Sequence, residues 1–161
     1  MAALLAWLQG SPLGELMRSS GVWAYGVVNL VHILSVATLF GAVLILDLRL
    51  LGVWRRVPLA ALEQPTIPLA VAGFCCAAVS GLCLVTTNAT EYAGNPFVPI
   101  KFAAIALGLL NVAIVARLPA WRGRHADPLP PRHRGTLAVA GGVSLACWVG
   151  AAAAGRLIGY W

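Results

Sequence analysis

The sequence predicts an all-α integral membrane protein: a bundle of four antiparallel transmembrane helices, preceded by short interfacial amphipathic helices. Three observations support this fold class. Of the 161 residues, 60% are hydrophobic and only 10% are charged, which leaves too little polar surface for a soluble domain of this size. Four apolar stretches approach the roughly 20 residues that a helix needs to cross a bilayer core. Charged residues are concentrated between these stretches, so the polar segments are the connections.

The chain divides into two parts. Residues 1–20 are predicted to form an interfacial amphipathic segment of two short helices, the second with Ser11 as N-cap and Pro12 at its first position. Residues 21–161 are predicted to form the four-helix transmembrane bundle, because short connections favour antiparallel neighbours. The predicted spans are about 21–46, 65–90, 98–118 and 135–158.

The distribution of positive charge predicts the orientation. Eight arginines lie in the two loops that join the first span to the second and the third span to the fourth. They are Arg49, Arg55, Arg56, Arg117, Arg122, Arg124, Arg132 and Arg134. The opposite side carries only Arg18, Lys101 and Arg156. The positive-inside rule then places both termini in the periplasm of a bacterial inner membrane. Topology and contact with anionic lipid account for the net charge of +6, so we expect no nucleic-acid partner.

One titratable residue other than cysteine lies near the middle of a predicted span, and it is His32. An ionisable group in hydrocarbon costs several kcal/mol and is therefore a candidate functional residue. Asn29 lies one helical turn before it. A neutral histidine in an apolar bundle can be an axial ligand of haem b, with Arg18, Lys101 and Arg156 available to pair with the propionates. A quinone hydrogen-bonded by His32 and Asn29 needs fewer ligands.

Copper is a third interpretation of the same region. Soft thiolates suit Cu(I), and three cysteines in the spans could join His32 as ligands. They are Cys76, Cys83 and Cys147. The cysteine spacing lacks the C-x-x-C pattern of zinc and thioredoxin-type sites.

Two further features predict how the spans are held together. A row of small residues on the second span lets helix backbones approach closely; its members are Gly73, Ala77 and Gly81. At the arginine-rich end of the first span, Asp47 and Arg49 are expected to hydrogen-bond Arg117 or the adjacent loop, as a structural lock.

Several short motifs together resemble an uncharacterised family of small bacterial four-span membrane proteins. The main ones are Ser11-Pro12-Leu13-Gly14, Asp47-Leu48-Arg49-Leu50-Leu51-Gly52 and Gly155-Arg156-Leu157-Ile158. The resemblance extends nearly from end to end and implies the fold and the placement of His32, but no activity. The chain is more distantly similar to four-helix membrane domains associated with copper resistance and b-type cytochromes.

The predicted function is that of a small inner-membrane subunit that binds haem b or quinone at His32 for electron transfer with a periplasmic partner. The alternative is a non-catalytic scaffold or accessory subunit of a membrane complex, and the third interpretation is Cu(I) binding. No Ser/His/Asp arrangement, intramembrane carboxylate pair or phosphate loop predicts a stand-alone enzyme. We expect the lipid bilayer and a protein partner or a second copy of the chain as contacts.

Overall fold

The computed structural model describes residues 2–125 and 130–161, and the regular structure in these residues is helical. In chain order the α-helices are α1 Ala2–Gln9, α2 Pro12–Ser19, α3 Gly21–Leu51, α4 Leu59–Thr87, α5 Phe97–Val115, α6 Pro119–Arg122 and α7 Pro131–Leu157. Two 3-10 turns lie at Ala89–Tyr92 and Ile158–Tyr160. Helices α3, α4, α5 and α7 are long and apolar enough to cross a membrane. The predicted fold class is confirmed, and the chain is a multi-pass membrane protein.

The helices do not stop where the sequence first becomes charged. Helix α3 continues past residue 46 to Leu51, where Gly52 ends it in the left-handed conformation, with φ of 103°. The Gly52 amide donates to the carbonyls of Arg49 and Leu48, as in a helix C-cap built on glycine. Helix α4 begins at Leu59, six residues before the predicted span. Asp47 and Glu63 therefore lie within helices rather than in the connection between them.

The four long helices pack in the order α4, α3, α7, α5. Helix α3 contacts both α4 and α7, and α7 also packs on α5, whereas α4 and α5 make almost no contact with each other. Both chain termini lie at one end of the bundle, since Gln9 bonds Thr90 and Phe97 packs edge-to-face on Trp161. We call this the terminal end, and the opposite one, which carries the two arginine-containing connections, the arginine-rich end.

Glycines set the helix separations. A Cβ built on Gly73 would lie 2.8 Å from the Leu39 nitrogen and 2.9 Å from the Ser35 oxygen, so α4 meets the backbone of α3 here. Gly141 of α7 meets the Asp47 backbone oxygen in the same way, at 3.1 Å. The predicted row of small residues thus lies in the α3–α4 contact, where small side chains permit close packing.

The N-terminal segment forms two short helices that pack against the end of α4. Ser11 caps α2 by accepting a hydrogen bond from the Gly14 amide, and Pro12 occupies the first turn, as predicted. Gly14 lies against the Thr86 carbonyl, which a Cβ would approach to 2.7 Å. Arg18 donates to the carbonyls of Thr86 and Thr87, which end α4 and lack partners within the helix.

Candidate functional site

His32 is half-buried in the α3–α4 contact and has a defined orientation. Its Nδ1 lies 3.0 Å from the Ala77 carbonyl oxygen and 3.1 Å from Ser80 Oγ. The carbonyl can only accept, and Ser80 donates its own proton to the Cys76 carbonyl, so Nδ1 is the protonated nitrogen. Nε2 has no hydrogen-bond partner among the described residues and keeps its lone pair.

The ring also fills a gap in α4. A Cβ on Gly81 would lie 2.9 Å from Cε1 of His32, so the imidazole occupies the space that this glycine leaves. A ring held by a backbone carbonyl and seated against a glycine joins two helices whether or not it binds a ligand. The same position suits both the ligand and the scaffold interpretation.

None of the four side chains predicted to share a site with His32 hydrogen-bonds its ring. Lys101 of α5 lies along α7, with its Nζ 3.5 Å from a Cβ built on Gly155. Asn29 is exposed and makes no side-chain hydrogen bond with the described residues.

The two predicted arginines have other partners. Arg18 is engaged with the end of α4. Arg156 lies over the ring of Tyr160, 4.6 Å from its centroid, and donates to its hydroxyl. His32 lines neither the cavity at the arginine-rich end nor the cavity that contains Asp47. The described residues supply an oriented histidine, and ligation of haem b by His32 stays a prediction.

The thiols are dispersed. Cys75 and Cys76 are exposed, whereas Cys83 and Cys147 are half-buried in different helices. Within residues 2–125 and 130–161, no three His, Cys, Asp or Glu side chains are grouped so as to hold a metal ion. The copper interpretation has no assembled ligand set in this part of the chain.

The predicted lock at the arginine-rich end forms only in part. Arg49 donates to the carbonyls of Val57 and Arg55 in the loop, which confirms its predicted contact. Arg117 donates to Ala113 in its own helix instead. Asp47 was expected in this lock, and that expectation is wrong, because the residue is 3% exposed and lines a cavity between the helices.

Asp47 lines a cavity of about 390 Å³ between α3, α4, α5 and α7. Most of the wall is apolar, and it includes Leu39, Val43, Ile67, Phe74 and Val112. Four polar residues interrupt this surface at Asp47, Thr66, Asn111 and Ser144. The cavity is thus a mainly apolar space with a few polar groups, which is the usual composition of small-molecule sites.

Two buried polar atoms at this cavity lack hydrogen-bond partners among the described residues. They are Oδ2 of Asp47 and Nε1 of Trp148. The indole is fixed between α4 and α5, since it packs edge-to-face on Phe74 at 6.1 Å and lies 3.4 Å from a Cβ built on Gly108. Buried polar groups are almost always paired, so one carboxyl oxygen and one N–H donor remain available for a ligand.

Asp47 has a usable signal in the sequence, which a span boundary placed at the first charged residue conceals. It is flanked by Leu46 and Leu48 and follows the uncharged stretch from Gly21 to Leu46 without a break in the helix. A carboxyl that continues an apolar helix in this way is a candidate functional intramembrane residue. Trp148 carries no such signal, because a tryptophan in a span is common and its missing partner is visible only in three dimensions.

A titratable group also lies outside the spans, in the connection between α4 and α5. Burial raises the pKa of Tyr92, and the nearby Tyr25 and Glu91 add to this shift. The neutral phenol is therefore the form that suits the folded protein.

No curated protein and no solved structure matches the chain. A family model described as a family of unknown function matches residues 4–161, nearly the whole length. The resemblance to an uncharacterised family is thereby confirmed. The chain belongs to DUF6644, a family of unknown function.

Proposed function

We propose that the protein is a quinone-binding membrane subunit that serves electron transfer, with the quinone in the cavity between α3, α4, α5 and α7. The observation that carries the proposal is the pair of unpartnered buried atoms, Asp47 Oδ2 and Trp148 Nε1, in the wall of one apolar cavity. A hydrocarbon chain alone would leave both without a hydrogen bond. Occupancy by a molecule that combines an apolar ring with polar oxygens satisfies them.

The size of the cavity fits such a ligand. Its volume of about 390 Å³ lies within the range of about 300–1,000 Å³ that is usual for small-molecule sites. Helices α4 and α5 both contribute to the wall and yet hardly contact each other. The space between them gives a lipophilic ligand a lateral route from the bilayer, along which an isoprenoid tail can remain.

The polar groups match both redox forms of a quinone. The Trp148 indole can only donate, so it suits a quinone carbonyl oxygen. The Asp47 carboxyl accepts from a quinol hydroxyl when ionised and donates to a carbonyl when protonated. A quinone supplies reversible two-electron, two-proton chemistry; the chain's part is to bind it, orient it and hold a proton at Asp47.

A second candidate keeps His32 as the ligand of haem b. It is favoured by the bond between Nδ1 and the Ala77 carbonyl, because histidines that bind metals usually donate their other N–H to such a group. We propose the same setting for both candidates, a bacterial inner membrane with both termini in the periplasm and a protein partner for electron exchange.

The test begins with the ligand content of the purified protein. The wild-type protein, solubilised in a mild detergent, is extracted with organic solvent, and the extract is analysed for quinone by chromatography and mass spectrometry. A visible spectrum and a metal analysis of the same sample report haem and copper. We expect quinone in near-equal molar amount and no Soret band.

Three variants locate the ligand. Asp47→Ala removes the carboxyl and Trp148→Phe removes the indole N–H, and each is expected to lower quinone retention by about tenfold, as the loss of one buried hydrogen bond of roughly 1.4 kcal/mol implies. Trp23→Phe is the matched control, because Trp23 is 89% exposed and lies outside the cavity wall. Its quinone content should equal that of the wild type.

His32→Gln separates the remaining interpretations. Loss of quinone in this variant alone would move the site to His32 and refute the cavity assignment. A Soret band in the wild type that disappears in His32→Gln would establish haem ligation instead. Colourless protein without quinone, whose variants change only in stability, would identify a scaffold with water in its cavity.

A further inference from the structure

A second cavity, of about 610 Å³, lies at the arginine-rich end of the bundle, between the ends of α3, α4 and α7. Five arginines line it: Arg49, Arg55, Arg56, Arg124 and Arg134. Topology alone requires positive charge on this side of the membrane, but it does not require five guanidinium groups around one concave surface.

One of these charges is neutralised within the fold. Arg124 forms an ion pair with Glu63 at 2.5 Å, and His125 lies 3.4 Å from the same carboxylate. Glu63 is buried and is the acidic group paired here within residues 2–125 and 130–161. The carboxylate therefore holds Arg124 at the edge of the cavity, and the other four arginines form no ion pair with residues 2–125 and 130–161.

Two of these four arginines are held by hydrogen bonds to backbone carbonyls of the connection between α3 and α4. Arg49 donates to the carbonyls of Val57 and Arg55, and Arg55 donates to the Gly52 carbonyl. These neutral partners fix the guanidinium groups in place without cancelling their charge. A cation oriented by backbone carbonyls is pre-organised for an anion, because it loses little freedom when the anion binds.

The guanidinium groups of the remaining two arginines have N–H donors without a partner among the described residues. Arg56 and Arg134 make no side-chain hydrogen bond and no ion pair with any residue in the described parts of the chain. They come from the α3–α4 connection and from the start of α7, so an anion between them would link separate segments of the chain.

The wall of this cavity also has an apolar part. Leu50, Leu51, Leu59 and Leu137 line it together with the arginines, and Leu59 and Leu137 are buried. These leucines lie near the ends of membrane-spanning helices, where a phospholipid changes from headgroup to acyl chain. A cavity lined by both arginines and leucines matches a phosphate joined to a hydrocarbon chain better than it matches a free anion.

We propose that this cavity binds the phosphate group of an anionic phospholipid. Guanidinium groups bind phosphate oxygens through paired hydrogen bonds, and basic pockets between transmembrane helices bind anionic headgroups at the cytoplasmic surface. Arg56 and Arg134 contact the phosphate, Arg49 and Arg55 add fixed charge, and the leucines receive the upper part of the acyl chains.

The test measures lipid binding to the intact chain. The detergent-solubilised protein is depleted of lipid and titrated with short-chain phosphatidylglycerol, short-chain phosphatidylcholine and inorganic phosphate in parallel, and bound lipid is counted by native mass spectrometry. We expect saturable binding of about one phosphatidylglycerol molecule per chain, with much weaker binding of phosphatidylcholine and of phosphate.

A matched pair of double variants assigns the site. Arg56→Gln with Arg134→Gln should weaken phosphatidylglycerol binding by about 30-fold, or about fivefold for each arginine near an anionic headgroup. Arg122→Gln with Arg132→Gln removes the same charge from the same end of the bundle, at exposed positions outside the cavity. This control should weaken binding by less than about threefold, through the general surface potential alone.

Each other outcome overturns the proposal. An equal loss of phosphatidylglycerol affinity in the two double variants would show a diffuse electrostatic attraction without a site. Equal binding of phosphatidylcholine would remove the role of charge. Binding of inorganic phosphate as tight as that of the lipid would identify a soluble anion as the occupant. Because the four substitutions lie outside the quinone cavity, quinone content in the same samples reports separately on the proposed function.

Discussion

The α3–α4 contact is the most sharply testable part of the fold, and Gly73→Ala is the change that tests it. The added methyl would lie 2.8 Å from the Leu39 nitrogen and 2.9 Å from the Ser35 oxygen, where ordinary contact begins at 3.4 Å. Both neighbours are backbone atoms, so no side chain can rotate away. The two helices must separate by about 0.6 Å at this point, the difference between 3.4 and 2.8 Å.

The expected cost follows from this overlap. Forcing one methyl group into a tightly packed contact costs typically about 1–3 kcal/mol. Alanine also has a higher helix propensity than glycine by about 1 kcal/mol, which partly offsets the loss and would obscure it in a single measurement. Gly26→Ala removes this ambiguity, because Gly26 lies in α3 with no atom within 4 Å of its missing Cβ.

The assay compares the two variants by SDS titration in mixed micelles, with circular dichroism as the reporter of unfolding. Gly73→Ala should unfold with a free energy about 1–3 kcal/mol lower than that of Gly26→Ala. Similar unfolding of both variants would show that the backbones of α3 and α4 do not approach as closely as described, and the position assigned to His32 between them would lose its support.

Two other changes probe charged and titratable groups. Glu63→Gln should lower the free energy of unfolding by about 2–3 kcal/mol. This is less than the 3–5 kcal/mol expected for a fully buried pair, because the Arg124 and Glu63 side chains are 21% and 11% exposed. Glu15→Gln, at an exposed position, is the control and should change the free energy of unfolding in the same SDS titration by less than about 0.5 kcal/mol. Since the pKa of Tyr92 is raised in the folded state, its contribution to stability is present below about pH 10, the unfolded value, and is lost as the pH rises through the folded value. Tyr92→Phe should therefore remove part of the alkaline loss of stability, and an unchanged pH profile of thermal unfolding above pH 9 would contradict the assignment.

The sequence contained most of the fold. Hydropathy alone is sufficient to predict the four spans, because a bilayer imposes a minimum length on an apolar helix that crosses it. The cap at Ser11 and the row from Gly73 to Gly81 were also predictable, since each depends on residues close together in the chain. The packing order of the helices was not predictable from the sequence. Small residues show that a helix packs closely, but they do not show which neighbouring helix it contacts.

The candidate sites were less accessible from the sequence, and for a physical reason. A span boundary set at the first charge stops at residue 46, yet a helix ends where its backbone turns, at Gly52. Such a boundary places Asp47 at the very end of the span and hides its position inside the bundle. His32 was found because an imidazole in hydrocarbon is rare, but its bond to the Ala77 carbonyl depends on the contact between two helices. No local pattern encodes that contact.

The packing order also bears on how the chain is made. Successive helices α4 and α5 hardly contact each other, so the bundle consists of two hairpins, α3 with α4 and α5 with α7, that meet where α3 contacts α7. Each hairpin can leave the translocon as a finished unit before the two associate in the bilayer. A break in the peptide chain between Asn88 and Pro96 would separate the hairpins without cutting either one, so two coexpressed fragments should reassemble into the complete protein.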